Sequence, residues 1–213
     1  MSRPGKLILV LGGARSGKSR FAVELAAGQG QPVVFVATAQ PTDPEMKARI
    51  EAHRRARPRH WETVEAWEGV PSILRAKGRA NTVVVIDCLT LMLSNLLLKG
   101  VGHGSAQGTH RVSAGVVEET LRESERVAEA ARSVPATVIV VANEVGAGVV
   151  PATALGRAFR DLAGAASQIV AAYADEVYVM HAGIPTRIKG HNGANRTAGG
   201  EDQADSGPDS AAG

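Results

Sequence analysis

Aromatic residues make up only 3% of the 213-residue chain, which leaves few flat platforms on which the bases of a single-stranded nucleic acid could stack. There is one cysteine, Cys88, so neither an internal disulfide nor a cysteine-built metal site can form, and nothing calls for an oxidising compartment. No stretch approaches the roughly 18 uninterrupted apolar residues of a membrane span. The apolar run over 7–11 is too short for a signal-peptide core. A soluble, cytoplasmic protein is expected. A large charge of one sign is missing too: 24 Lys and Arg face 21 Asp and Glu, a net +3. That surplus is unevenly spread. Over 47–60, Lys47, Arg49, Arg54, Arg55, Arg57 and Arg59 are opposed only by Glu51, a local +5. A uniform basic coat for nucleic acid is thereby excluded, and a local anion-binding feature is indicated.

What is present fits one ordinary folded domain: 44% hydrophobic and 21% charged residues in a chain of this length. Short runs rich in β-branched residues over 7–11, 33–37, 82–87, 137–142 and 176–180 predict buried parallel strands, with a short edge strand over 186–189. Helical periodicity occupies 17–27, 44–55, 89–98, 112–132 and 154–172. Strands alternating with helices give an α/β fold with a mostly parallel sheet. The Gly-, Ser-, His- and Gln-rich stretch over 100–115 predicts a surface loop. From 190 to 213 the chain has almost no large apolar side chain and a net charge of −3, which predicts a disordered acidic tail beyond a single domain over 1–189.

The strongest chemical signal is Gly12-Gly13-Ala14-Arg15-Ser16-Gly17-Lys18-Ser19, which meets every defined position of the G-x-x-x-x-G-K-[ST] phosphate loop. A strand runs in and a helix runs out, so the backbone N–H groups at the helix start can face phosphate oxygens. Lys18 is placed to reach the β and γ phosphates of a triphosphate, and the Ser19 hydroxyl to ligate Mg²⁺. Four β-branched residues followed by Asp87 form a Walker B pattern, with Asp87 as a second magnesium ligand. The alternative for Asp87 is a cap on the next helix. Cys88 beside it has the character of a small packing residue.

The basic stretch offers guanidinium groups for a triphosphate or a departing pyrophosphate, against the alternative of a solvated helix end that favours cations. It also carries His53 and His60. A neutral imidazole is a good nucleophile at phosphorus. Either histidine could equally be structural. After the strand over 137–142 comes Asn143-Glu144-Val145-Gly146-Ala147-Gly148, polar groups and glycines where open α/β sheets build a ligand crevice. Glu144 there is either a substrate-orienting carboxylate or a turn residue.

Taken in order, Gly12 to Arg20, Ala37-Thr38-Ala39-Gln40, Met46 to Ile50 with His53, Arg57-Pro58 and His60-Trp61, Asn143 to Gly146 with Gly148, Val150-Pro151, and Phe159-Arg160-Asp161 carry a resemblance. The chain resembles the bifunctional adenosylcobinamide kinase/adenosylcobinamide-phosphate guanylyltransferase family of cobalamin biosynthesis over about 7–189. The resemblance implies a P-loop, RecA-like core assembling as a homotrimer. It implies phosphorylation of adenosylcobinamide by ATP or GTP, and then transfer of GMP from GTP, through a guanylyl-histidine, to adenosylcobinamide phosphate. His53, which precedes Arg57-Pro58, would be the guanylylated residue, and Lys18 a second catalytic group. Gly12, Gly13, Ala14, Arg15, Ser16, Gly17, Lys18 and Ser19 would bind phosphates. Ala37, Thr38, Ala39, His53, Arg54, Arg55, Ala56, Glu65 and Asp87 would complete the nucleotide site. Relatives often carry Glu where this chain has Asp87, and some carry paired histidines where it has Ala52-His53.

Two other readings make different predictions. A small P-loop kinase of another kind would transfer phosphoryl groups without a covalent guanylyl intermediate. A P-loop ATPase using the basic helix on nucleic-acid phosphates would show steeply salt-dependent DNA binding.

Overall fold

The computed structural model describes residues 5–101 and 112–190. Most of the expected loop over 100–115 and nearly all of the expected tail over 190–213 lie outside the described residues. The described chain forms β1 (Lys6–Gly12), α1 (Lys18–Ala27), β2 (Val33–Ala37), α2 (Pro44–Arg55), β3 (Glu62–Glu65), α3 (Val70–Lys77), β4 (Val83–Asp87), α4 (Leu89–Val101), α5 (Ala114–Ser133), β5 (Thr137–Asn143), α6 (Ala154–Tyr173), β6 (Glu176–His181) and β7 (Ile184–Lys189). The strands make one sheet in the order β3-β2-β4-β5-β1-β6-β7, parallel except for the antiparallel edge strand β7. This is the α/β architecture the alternation predicts.

The β-branched and leucine runs explain why both faces are dry. Successive side chains on a strand point to opposite faces, so Leu7 and Leu9 enter one core while Ile8 and Val10 enter the other. The first face is covered by α3, α4, α5 and α6 through residues such as Leu74, Leu93, Val127 and Leu162. The second receives Ala22 and Ala26 of α1, together with Trp61. Helix α2 is different: none of its residues is buried. Its ends hold it together instead. Asp43 caps the N-terminus, accepting from the Met46 N–H at 2.7 Å, Pro44 and Glu45 occupy the first turn, and His53, Arg54 and Arg55 sit where the helix dipole favours cations.

Two elements are additional to those predicted. β3 is four residues long and largely exposed, so Glu62-Thr63-Val64-Glu65 carries no hydrophobic run, and only its pairing with β2 makes it a strand. α3 is eight residues long, too short for a sustained 3.6-residue period. α4 reaches Val101 and α5 starts at Ala114, so both ends of the expected 100–115 loop are helical. No helix among the described residues is long and apolar enough to cross a membrane.

Candidate active site

The chemistry-bearing segments converge at the carboxyl ends of the parallel strands, where open α/β sheets bind ligands. β1 delivers the phosphate loop. Gly17, at φ 93°, takes a left-handed conformation suited to glycine and caps α1, while Arg15 is also left-handed at φ 58°. The turn between β6 and β7 braces this loop, the Gly183 N–H donating to the Ser16 carbonyl at 3.0 Å. Lys18 is 7% exposed, and its Nζ donates to the Gly13 carbonyl at 3.0 Å, folding the side chain back over the loop. Burial pulls the Lys18 pKa below its usual range, and the nearby Asp87 carboxylate works the other way.

Lys18, Ser19, Ala37, Ala39, His53, Arg54, Glu65 and Asp87 line one cleft of about 190 Å³. That is below the ~300 Å³ at the small end of ligand pockets, so the cleft suits the phosphate end of a nucleotide, with the remainder lying across an open rim. Ser19 and Asp87 bring a hydroxyl and a carboxylate to the same wall, and the described residues contain no cluster of three or more His, Cys, Asp or Glu fit to hold a metal. Such a sparse, all-oxygen pair fits Mg²⁺, which takes one or two protein ligands and fills its shell with phosphate oxygens and water.

The two histidines are separated by the fold. His53 lines the cleft, whereas His60 lines a different cavity with Pro32, Val33 and Thr82, at the amino ends of β2 and β4. The basic stretch divides in the same way. Lys47, Arg49, Arg54 and Arg57 face the cleft, while Arg55 and Arg59 are exposed and away from it. Arg54 is paired with Glu65 and, at 2.9 Å, with Glu51. Arg57 lies over the Phe35 ring at 3.8 Å from its centroid, and its Nε is buried without a hydrogen-bond partner among the described residues.

The family model described as cobinamide kinase / cobinamide phosphate guanyltransferase matches residues 8–188, a span containing all of these elements. The chain belongs to this family. It is thus an enzyme of the cobinamide kinase / cobinamide phosphate guanyltransferase family, built on a P-loop nucleotide-binding core. The bifunctional adenosylcobalamin biosynthesis protein CobU of Escherichia coli is 42% identical over 184 residues, covering 86% of this chain and 99% of that protein. CobP of Pseudomonas aeruginosa, with the same description, is 41% identical over 182 residues, covering 85% and 96%. Among solved structures, a prototypical ATPase from the type III secretion system of pathogenic bacteria aligns with a TM-score of 0.53 at 14% identity. That match covers 83% of this chain and 51% of the ATPase, and it is a likeness of fold.

Within this cobinamide kinase / guanyltransferase chain, some expected site residues do not face the cleft. Thr38 is fully buried: its hydroxyl donates to the Cys88 carbonyl at 2.7 Å and accepts from the Cys88 N–H at 2.8 Å. It ties the end of β2 to the residue after β4, so it positions Ala37, Ala39 and Asp87. Replacing Thr38 with Val leaves the Cys88 N–H unmatched in the core, and the Cys88 carbonyl with only the Met92 N–H at 3.2 Å. A loss of ~1–3 kcal/mol in urea unfolding is expected. Arg55 and Ala56 are exposed at the end of α2. Burial pushes the Cys88 thiol up to about 12, so it stays protonated and behaves as a packing residue. Glu144 closes its own turn, accepting from the Gly146 N–H at 2.9 Å. Lys47, Arg49, Arg57 and Asn143 also line the cleft; from the sequence they stood only within the basic stretch and the crevice segment from Asn143 to Gly148, not as individual site residues. Arg57 stood within the basic stretch, where no spacing distinguishes a cleft arginine from a solvated one.

Proposed function

We propose that this enzyme performs two transfers at one cleft: ATP or GTP phosphorylates adenosylcobinamide, and GTP then supplies GMP to adenosylcobinamide phosphate through a covalent adduct on His53. The observation that carries this reading is the convergence of His53 with Lys18, Ser19 and Asp87 on one cleft while His60 lies elsewhere. The names of the relatives, bifunctional proteins of adenosylcobalamin biosynthesis, agree with it.

In the guanylyl half, the unprotonated imidazole nitrogen of His53 attacks the α-phosphorus of GTP. A P–N bond forms, the α,β-bridging P–O bond breaks, and pyrophosphate leaves with the electron pair; the other ring nitrogen sheds its proton. A phosphate oxygen of adenosylcobinamide phosphate then displaces the imidazole, giving adenosylcobinamide-GDP and restoring His53. One difficult displacement becomes two easier ones. The phosphate loop from Gly12 to Ser19 binds the β and γ phosphates, and Lys18 offsets charge on the leaving group. Lys47, Arg49 and Arg57 add cations on the α2 side of the cleft, so pyrophosphate departs into a positive surrounding. Ser19 and Asp87 would hold Mg²⁺, which neutralises phosphate charge when bound. Ala37 and Ala39 form the smooth wall at the end of β2, and Glu65, already paired with Arg54, fixes the α2 end near the nucleotide.

The proposal includes a cytoplasmic site of action, a homotrimer, and a single catalytic domain over 1–189. The test is product analysis by mass spectrometry after incubation with adenosylcobinamide, ATP, GTP and Mg²⁺. The corrinoid should first gain a phosphoryl group and then GMP, with pyrophosphate released in the second step only. A corrinoid that gains phosphate but never GMP would leave the other small-kinase reading in its place.

A further inference from the structure

We propose that Asn143 is a catalytic residue of the phosphoryl-transfer step, its carboxamide holding the terminal phosphoryl group and the attacking hydroxyl in line. The inference rests on the kinase half of the function proposed above and deepens it. Strand order supplies the first argument. β5 lies between β1, which ends in the phosphate loop, and β4, which ends in Asp87. The last residue of β5 therefore sits between Lys18 with Ser19 on one side and Asp87 on the other. That residue is Asn143: it pairs in register with Gly12 and lines the same cleft.

The position is held rigidly. The Asn143 N–H donates to the buried Thr90 hydroxyl at 2.7 Å, and the next residue, Glu144, donates its N–H to the Gly12 carbonyl at 2.9 Å. Glu144 then closes the following turn on Gly146. The backbone around Asn143 is thus tied to the first residue of the phosphate loop itself, while its carboxamide makes no hydrogen bond among the described residues. A side chain on a locked backbone, left free beside the phosphate site, is preorganised for substrate.

The chemistry suits a carboxamide. Its NH₂ donates to a phosphoryl oxygen and its carbonyl accepts from a hydroxyl, and being neutral it adds no negative charge beside Asp87. In the step proposed, the hydroxyl oxygen of adenosylcobinamide attacks the γ-phosphorus. The new O–P bond forms as the β,γ-bridging P–O bond breaks, the nucleoside diphosphate leaves with the electron pair, and the hydroxyl proton passes to a phosphoryl oxygen and then to water. Asn143 takes no proton. It aligns the two reacting groups and stabilises charge on the equatorial oxygens. The α-phosphorus attacked by His53 lies two phosphates away, so guanylylation depends on Asn143 far less.

The experiment compares wild type with Asn143→Ala, Asn143→Asp and Asn143→Ser in two assays: steady-state phosphorylation of adenosylcobinamide, and covalent GMP labelling by GTP alone. Asn143→Ala and Asn143→Asp should lower kcat for phosphorylation by about 10²–10³-fold, with KM for the nucleotide within about threefold. GMP labelling should stay within about fivefold of wild type, and Asn143→Ser, which keeps a donor, should recover part of the lost kcat. Because Thr90 meets the backbone and not the side chain, unfolding midpoints should match wild type, and labelling serves as an internal check on folding. Phosphorylation by Asn143→Ala at the wild-type rate overturns the proposal, as does an equal loss in both assays. A wild-type enzyme that labels with GMP but phosphorylates no corrinoid overturns the kinase reading, and this inference with it.

Discussion

His53→Ala is expected to abolish covalent GMP labelling, a loss of at least ~10³-fold, while phosphorylation of adenosylcobinamide stays within about threefold of wild type. The split follows from where His53 sits. It is on α2, an element with no buried residue, so truncating its side chain opens no cavity in either core. It lines the cleft with Lys18 and Asp87, yet nothing in phosphoryl transfer to a hydroxyl calls for an imidazole nucleophile. His60→Ala is the matched control and should label fully, because its ring lies at the amino ends of the strands, in a separate cavity. Filter-bound label from GTP, counted after denaturation, measures both variants.

Lys18→Met should lower both reactions together, by roughly 10²–10³-fold each. Both draw on the same β and γ phosphates: in one transfer the γ-phosphoryl group moves, and in the other the two leave as pyrophosphate. The fold should not suffer. Lys18 is nearly fully buried, and the lowered pKa of its ammonium reflects the cost of desolvating that charge, which an apolar side chain of similar length does not bear. The thermal midpoint of Lys18→Met is therefore expected at or above that of wild type while activity collapses. A midpoint lowered in step with activity would show that Lys18 is needed for the loop's shape rather than for the phosphates. The common fall of both reactions, set against the separate losses expected for His53→Ala and Asn143→Ala, sorts the cleft into shared and step-specific groups.

Much of this was legible in the sequence because the relevant signals are local. A strand, eight residues of phosphate loop and a helix read continuously from 7 to 27, and the structure places them as β1, loop and α1. Four of the expected buried strands, β1, β2, β4 and β5, announced themselves through apolar, β-branched-rich runs, since a strand covered on both faces has no polar side to interrupt it, whereas β6, also expected to be buried, has only Val177 and Met180 buried. β3 and α3 gave no such signal, being short and, for β3, exposed. The same distinction governs the site. Lys18, Ser19 and Asp87 belong to spaced motifs that name single residues, whereas the sequence marked Asn143 only within a polar segment after a strand and Arg57 only within a basic stretch; strand order and the Phe35 ring beneath the guanidinium set these two in the cleft. Thr38 stands beside Ala37 and Ala39 in sequence, but alternation along an extended segment turns its hydroxyl inward to Cys88. The local +5 over 47–60 also resolves only in three dimensions, into four cations facing the cleft and two facing solvent.

In the proposed reaction GMP passes through His53 on its way to the corrinoid. A single-turnover chase tests it most directly: enzyme labelled with GTP is freed of nucleotide and then mixed with adenosylcobinamide phosphate. Label should leave His53 and appear as adenosylcobinamide-GDP in equal amount, at a rate at least as fast as steady-state turnover. Label that remains on the protein while fresh GTP yields product at the normal rate, or label mapped to a residue other than His53, would contradict it.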